Sequence, residues 1–89
     1  MEDVTKYEFY KGSYCISTLE GTATEARRKG DELANIHGRI QTKGFNTFLS
    51  RWEWLTTFLG NRNVIDSFGH EGVIDTDYRN IWYKEGGDQ

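Results

Sequence analysis

Two histidines, one cysteine and fourteen acids are the residues of this 89-residue sequence whose chemistry suits catalysis or metal binding. His70 and Glu71 sit side by side between Gly69 and Gly72. A carboxylate beside an imidazole can tune proton transfer near neutral pH. Adjacent residues of a turn point apart, however, so a solvated hairpin tip is the simpler reading. His37 falls near the end of a helical stretch, where the helix dipole favours a cation. Cys15 has no sequence neighbour that would lower its pKa, and on a strand it behaves as a small hydrophobe. Asp66, Asp75 and Asp77 offer oxygen ligands without the loop spacing of a calcium site, and read as turn acids. The soft ligands are too few for a structural zinc. Gly69-x-x-Gly72 lacks the Lys-Ser/Thr ending and strand-to-helix context of a phosphate-binding loop. No catalytic set, metal site or cofactor motif is assembled, and the chain reads as non-enzymatic.

Binding is the remaining chemistry. Net charge is −3 but uneven. Residues 1–26 hold five acids and two bases, residues 27–62 seven bases and three acids, and residues 63–89 six acids and two bases. Such blocks usually mark internal pairing or solvated faces, and otherwise a field that steers a charged partner. The middle bases are Arg27, Arg28, Lys29, Arg39, Lys43, Arg51 and Arg62. With Trp and Tyr rings for stacking, they support an alternative reading as a nucleic-acid-binding accessory protein. The acidic total argues against a dedicated binder of that kind. In the last third, Asp66, Asp75, Asp77 and Glu85 would form one acidic surface if the chain imitates nucleic-acid charge.

The segment from Phe45 to Leu59 carries two apolar stripes. Phe45, Phe48, Leu49, Trp52, Leu55 and Leu59 recur at helical spacing and predict a core-facing stripe. Trp52 would then be a core residue whose truncation costs about 3–5 kcal/mol. Trp54 would sit about 160° away from it on a helix, and Phe58, four residues beyond Trp54, would share that second ridge. With Arg51 beside them they have the composition of an interface hot spot. Candidate partner-binding residues are accordingly Arg51, Trp54, Phe58, Tyr78, Trp82, Asp75 and Asp77.

The elements that must position these residues follow from local pattern. Lys6 to Thr18 predicts a hairpin turning at Lys11-Gly12. Phe9 would face Tyr14 and Tyr7 would face Ile16, all four on one face. Thr22-Ala23-Thr24-Glu25 is a capping box opening a helix over Ala23–His37, with Gly38 as its stop. Its apolar face (Ala23, Ala26, Gly30, Leu33, Ala34, His37) is made mostly of small residues, so something packs close to it. A second helix is expected over Asn46–Leu59, capped by Thr42 or Asn46 and ended by Gly60-Asn61. Short strands are expected at Val64–Phe68, Val73–Thr76 and Ile81–Tyr83, with Gly86–Gln89 frayed. No internal repeat or linker is visible.

The expected fold is thus a single α+β domain over residues 1–89, an antiparallel sheet with two helices on one face. No apolar run approaches a membrane span, and Glu2 and Asp3 stand where a basic-then-apolar signal region would begin, so a cytoplasmic protein without membrane contact is expected. In overall character, short, motif-free and acidic, the chain resembles small proteins encoded by phages and mobile elements, anti-CRISPRs and other anti-defence inhibitors among them. That resemblance implies steric inhibition: occupying a host protein or protein–nucleic-acid complex, in the host cytoplasm, with no cofactor and no metal.

Overall fold

The computed structural model describes residues 4–84; Glu85 of the acidic set and the segment Gly86–Gln89, expected from the sequence to fray, lie outside them. The elements run β1 (Val4–Lys11), β2 (Tyr14–Glu20), α1 (Ala23–His37), β3 (Ile40–Asn46), β4 (Arg51–Gly60), β5 (Asn63–Ile65), β6 (Glu71–Ile74) and β7 (Ile81–Tyr83). The strands form one antiparallel sheet in the order β2-β1-β3-β4-β5-β6-β7. The class is α+β as expected, but among the described residues there is one helix.

That helix begins and ends where the sequence signals it. Thr22 Oγ1 accepts from the Glu25 backbone N–H at 3.1 Å, and the Glu25 carboxylate accepts from Thr22 N–H at 2.8 Å. Gly38 closes the helix at φ 85°, its N–H donating to Ala34 O at 2.8 Å. The small-residue face has a physical reason: a Cβ at Gly30 would collide with the Phe58 ring. The helix therefore sits close on the sheet, above a core of Tyr7, Phe9, Ala26, Ala34, Ile40, Phe58, Val64 and Ile74.

The second helix is replaced by the end of β3, a turn and β4. The Asn46 side chain does cap, accepting from the N–H groups of Phe48 and Leu49 at 3.0 and 3.1 Å, but the turn it caps spans only residues 47–50. Ser50 at φ 54° ends it. Beyond lies Arg51-Trp52-Glu53-Trp54-Leu55-Thr56-Thr57-Phe58, rich in the aromatic and β-branched residues that favour strands. The helical spacing had a different cause. Pairing passes from Gln41↔Thr57 to Lys43↔Trp54, so β4 carries one extra residue at a bulge. A bulge inverts the alternation of faces. Trp52 and Trp54 point away from the helix while Phe58, on the other side of the bulge, points into the core. Trp52 is 41% exposed and is not a core residue. Phe48 and Leu49 are exposed as well.

The first hairpin forms, with a shifted register. Phe9 pairs with Ser17 and Tyr7 with Leu19, and a bulge at Ile16 brings Tyr10 opposite Cys15. Tyr7 and Phe9 are buried as expected, whereas Tyr14 and Ile16 are exposed. The turn is Gly12-Ser13, one residue later than expected, with Lys11 paired to Tyr14 and Gly12 at φ 62°. Between β4 and β5, Asn61 and Arg62 both have positive φ (54° and 65°), the pattern of a two-residue hairpin turn. Asn35 and Asp31 of α1 hold it, accepting from the N–H groups of Asn61 (2.7 Å) and Arg62 (2.8 Å).

A repeat overlooked in the sequence is plain in the fold. Val64-Ile65-Asp66-Ser67 and Val73-Ile74-Asp75-Thr76 each end a strand and enter a turn that begins in the same way. Asp66 Oδ1 accepts from the N–H groups of Phe68 and His70; Asp75 Oδ1 accepts from those of Asp77 and Arg79. Both third residues after the aspartate, Gly69 and Tyr78, have positive φ (90° and 61°).

Candidate functional site

The helix covers one face of the sheet, and strand alternation assigns residues to the other. Lys6, Glu8 and Tyr10 on β1 neighbour Phe45, Lys43 and Gln41 on β3. Lys43 and Phe45 in turn neighbour Trp54 and Trp52 on β4. On the far strands Val73 pairs with Trp82. The rings form two edge-to-face pairs: Tyr10–Trp54 with centroids 5.5 Å apart, and Phe45–Trp52 at 5.4 Å. Such pairs fix ring orientation and add about 0.5–1.5 kcal/mol beyond burial. Lys43 Nζ lies over both members of the first pair, 4.6 Å from the Trp54 ring and 5.3 Å from the Tyr10 ring. The Tyr10 hydroxyl donates to Glu8 at 2.8 Å, and this bond raises the phenol pKa above its ordinary value. The patch is thus ordered before anything binds, yet remains open: Trp54 is 50% and Trp82 68% exposed.

The candidate residues divide unevenly. Trp54 and Trp82 lie on the open face. Arg51 is at the start of β4 and pairs with Glu53 at 3.2 Å. Asn46 also donates to Glu53 at 3.1 Å, and these hydrogen bonds, Asn46's foremost, hold its carboxyl below the usual range. Phe58 is 2% exposed under Gly30, so it forms no surface ridge with Trp54. Tyr78 is tucked toward α1, its hydroxyl bonded to Asp31 at 3.3 Å and its ring flanked by the guanidinium groups of Arg28 and Arg62 at 5.4 and 4.9 Å. Asp75 spends its carboxylate on its own turn; Asp77 is exposed there. The residues missed by the sequence reading are Tyr10, Lys43, Phe45 and Trp52. The signal for them was the Trp-x-Trp alternation of β4, masked by the bulge that follows it.

The other groupings do not assemble. Successive hairpin turns lie at opposite ends of their strands, so Asp66 and Asp75 do not share one acidic surface. The basic middle is largely engaged internally: Arg27 donates to the carbonyls of Tyr78 and Arg79 at 3.0 Å, and Arg28, Arg62, Lys43 and Arg51 are engaged as above. His70 Nδ1 sits 3.1 Å from Asp66, not beside Glu71, which pairs with Lys84. Cys15 is exposed, its thiol near the Ser17 carbonyl at 3.4 Å. Among the described residues no three His, Cys, Asp or Glu side chains converge on a metal position, and no helix is long and apolar enough to cross a membrane. Comparison with protein-family models, curated proteins and solved structures finds no match.

Proposed function

We propose that this chain is a small non-enzymatic protein-binding module that uses the open face of its sheet to occupy a surface of a host protein or protein–nucleic-acid complex. The observation that carries this reading is the distribution of tryptophan. All three tryptophans of the chain stand on the uncovered face, two of them in ordered pairs with Phe45 and Tyr10. Trp and Tyr supply large contact area at low entropic cost and dominate binding hot spots. Exposing them to water is unfavourable unless a partner covers them. In this proposal the action is steric, in the host cytoplasm, in the manner of a phage- or mobile-element-encoded inhibitor such as an anti-CRISPR. No bond is made or broken and no cofactor takes part.

The alternative, an accessory protein that binds nucleic acid directly, draws support from Lys43 lying among stackable rings. It has less support from the basic middle, whose arginines are mostly spent inside the fold. Affinity capture from host lysate, with and without nuclease, separates the two. The expected result is a stoichiometric protein partner, insensitive to nuclease, retained by the wild type and lost by the Trp52→Ser/Trp54→Ser variant with its melting temperature preserved. A partner retained equally by that variant, or nucleic acid alone, overturns the proposal.

A further inference from the structure

The sheet has an interior gap. β4 is ten residues long, but β5 pairs only with its second half, Thr57 through Gly60. Arg51 through Trp54 are paired with β3 on one side. Among the described residues no strand pairs with Arg51–Leu55 on the other. The chain cannot fill this gap with β5, because Asp66 turns it away: the Asp66 N–H donates to His70 O at 2.9 Å, closing the turn level with the end of the ladder. A row of backbone donors and acceptors is therefore left open in line with β5, and a strand edge is a template for another strand.

We infer that this free half of β4 receives an extended segment of the partner protein, added as a strand collinear with β5. This rests on the proposal of a protein-binding face and names how that face is used. Arg51–Leu55 accommodates about five residues, roughly 17 Å of extended chain. Main-chain hydrogen bonds supply affinity in this mode, and side-chain subsites at alternate positions supply choice. The subsites here are Trp52 and Trp54, two residues apart on the open face. The nearby charges are already balanced: Arg51 pairs with Glu53 at 3.2 Å, and Lys43, held over its two rings, stands opposite Glu8 in the β1–β3 pairing. The edge is thus complementary to an uncharged segment with apolar side chains at every second position.

The other edges are poorer templates. β2 is broken by the Ile16 bulge, and β7 has three residues. A second copy of the chain is a poor occupant of the β4 gap. Antiparallel self-pairing centred on Glu53 sets two carboxylates directly opposite, which is destabilising. Pairing centred on Trp52 engages only Arg51, Trp52 and Glu53 of each β4, and pairing centred on Trp54 sets the copy's Arg51 opposite Thr57, where Ile65 already pairs.

The test uses the intact chain and a displayed library of linear twelve-residue peptides. The expected result is enrichment of sequences with alternating apolar residues. A peptide so selected should slow amide hydrogen exchange across Arg51–Leu55, and methylating a single in-register backbone nitrogen of it should weaken binding about fivefold, the loss of one hydrogen bond. Failure to enrich any sequence overturns the inference, as do enriched peptides that leave those amides unprotected. Concentration-dependent dimerisation that protects the same amides assigns the gap to a second copy and overturns it too. A folded partner that buries Trp52 and Trp54 without protecting Arg51–Leu55 removes strand addition and leaves the proposed binding face standing. A partner indifferent to Trp52→Ser/Trp54→Ser removes both.

Discussion

The Asp66 and Asp75 turns open on the same Val-Ile-Asp-Ser/Thr sequence, yet one is a free tip and the other is bolted to the helix. The difference begins with phase. Asn63 pairs with Val73 and Val64 with Gly72, so the repeated Val-Ile enters the sheet in opposite orientation. Val64 and Ile74 are buried, and their repeat partners are not. The second turn is also one residue longer, closing on Asn80 O where the first closes on His70 O. At the left-handed position the first turn uses Gly69, which adopts it freely, while the second uses Tyr78, which does not. The strain at Tyr78 is offset by Asp31, Arg27, Arg28 and Arg62, a constellation the first turn lacks. One local motif can therefore serve as a structural clamp or as a displayed loop, and the residues around it decide which.

The largest test of the clamp is Asp31→Ala. Asp31 is 2% exposed and accepts from both the Arg62 N–H and the Tyr78 hydroxyl. Removing it leaves two donors without partners and should cost about 2–4 kcal/mol. In a domain of roughly 5–15 kcal/mol total stability, that loss is visible in any denaturant titration. A cost near zero would show that the second turn stands without the helix and would erase the contrast between the two.

Next in size is Tyr78→Ala, which removes the ring between the arginines and keeps the left-handed strain. It should destabilise by about 1–3 kcal/mol, with Tyr78→Phe losing only about 1 kcal/mol for its hydroxyl. Equal losses for the two variants would assign the clamp to the hydroxyl alone.

These same particulars explain what sequence reading reached and what it missed. Capping boxes and glycine stops act within four residues, so α1 was legible to its ends. Tyr7 and Phe9 were legible as core because β1 alternates regularly beside them. β4 was not, because its bulge places Leu55 and Phe58 inward at a spacing of three, which imitates a helical period. Asn46 deepened the error, since a side-chain cap reads the same whether one turn follows or a whole helix. Of the candidate site, Trp54 and Trp82 were recognisable by type. Tyr10 and Lys43 were not, because they join Trp54 only through pairing across β1, β3 and β4.

Acid separates the turns by a smaller effect. In each, burial pushes the aspartate pKa up, but backbone N–H groups donating to the carboxylate outweigh it, from His70 and Phe68 at Asp66 and from Arg79 at Asp75 with the Asn80 side chain, and both carboxyls titrate below their ordinary value. A depressed folded pKa stabilises above the unfolded value of about 4, and that stabilisation is lost as pH falls through the folded value. Melting temperature should therefore drop on acidification below about pH 4. Asp75→Asn should flatten that drop, because its turn is coupled to α1. Asp66→Asn should instead speed local exchange at the Phe68 and His70 amides with less effect on the global transition. Identical effects of the two variants on the global melt would mean that the turns are equally coupled to the core.

The smallest effect on stability falls at the tip of the free turn. Phe68 is 85% exposed, and its nearest ring is His70, 6.4 Å away and tilted. It buries little in the isolated chain, so Phe68→Ser should leave stability within about 0.5 kcal/mol of wild type, the usual range for a surface change. The turn itself does not depend on it, since Asp66 Oδ1 bonds the Phe68 backbone N–H and not the ring. The same substitution at its repeat equivalent is no control, because that position is Asp77. The informative comparison is with Tyr78→Ala, where an aromatic ring one position further along is expected to carry measurable stability. If Phe68→Ser proved as costly as Tyr78→Ala in a paired urea titration, the first turn would be anchored as firmly as the second. Its exposed phenyl ring would then be part of the fold and not a side chain held out from it.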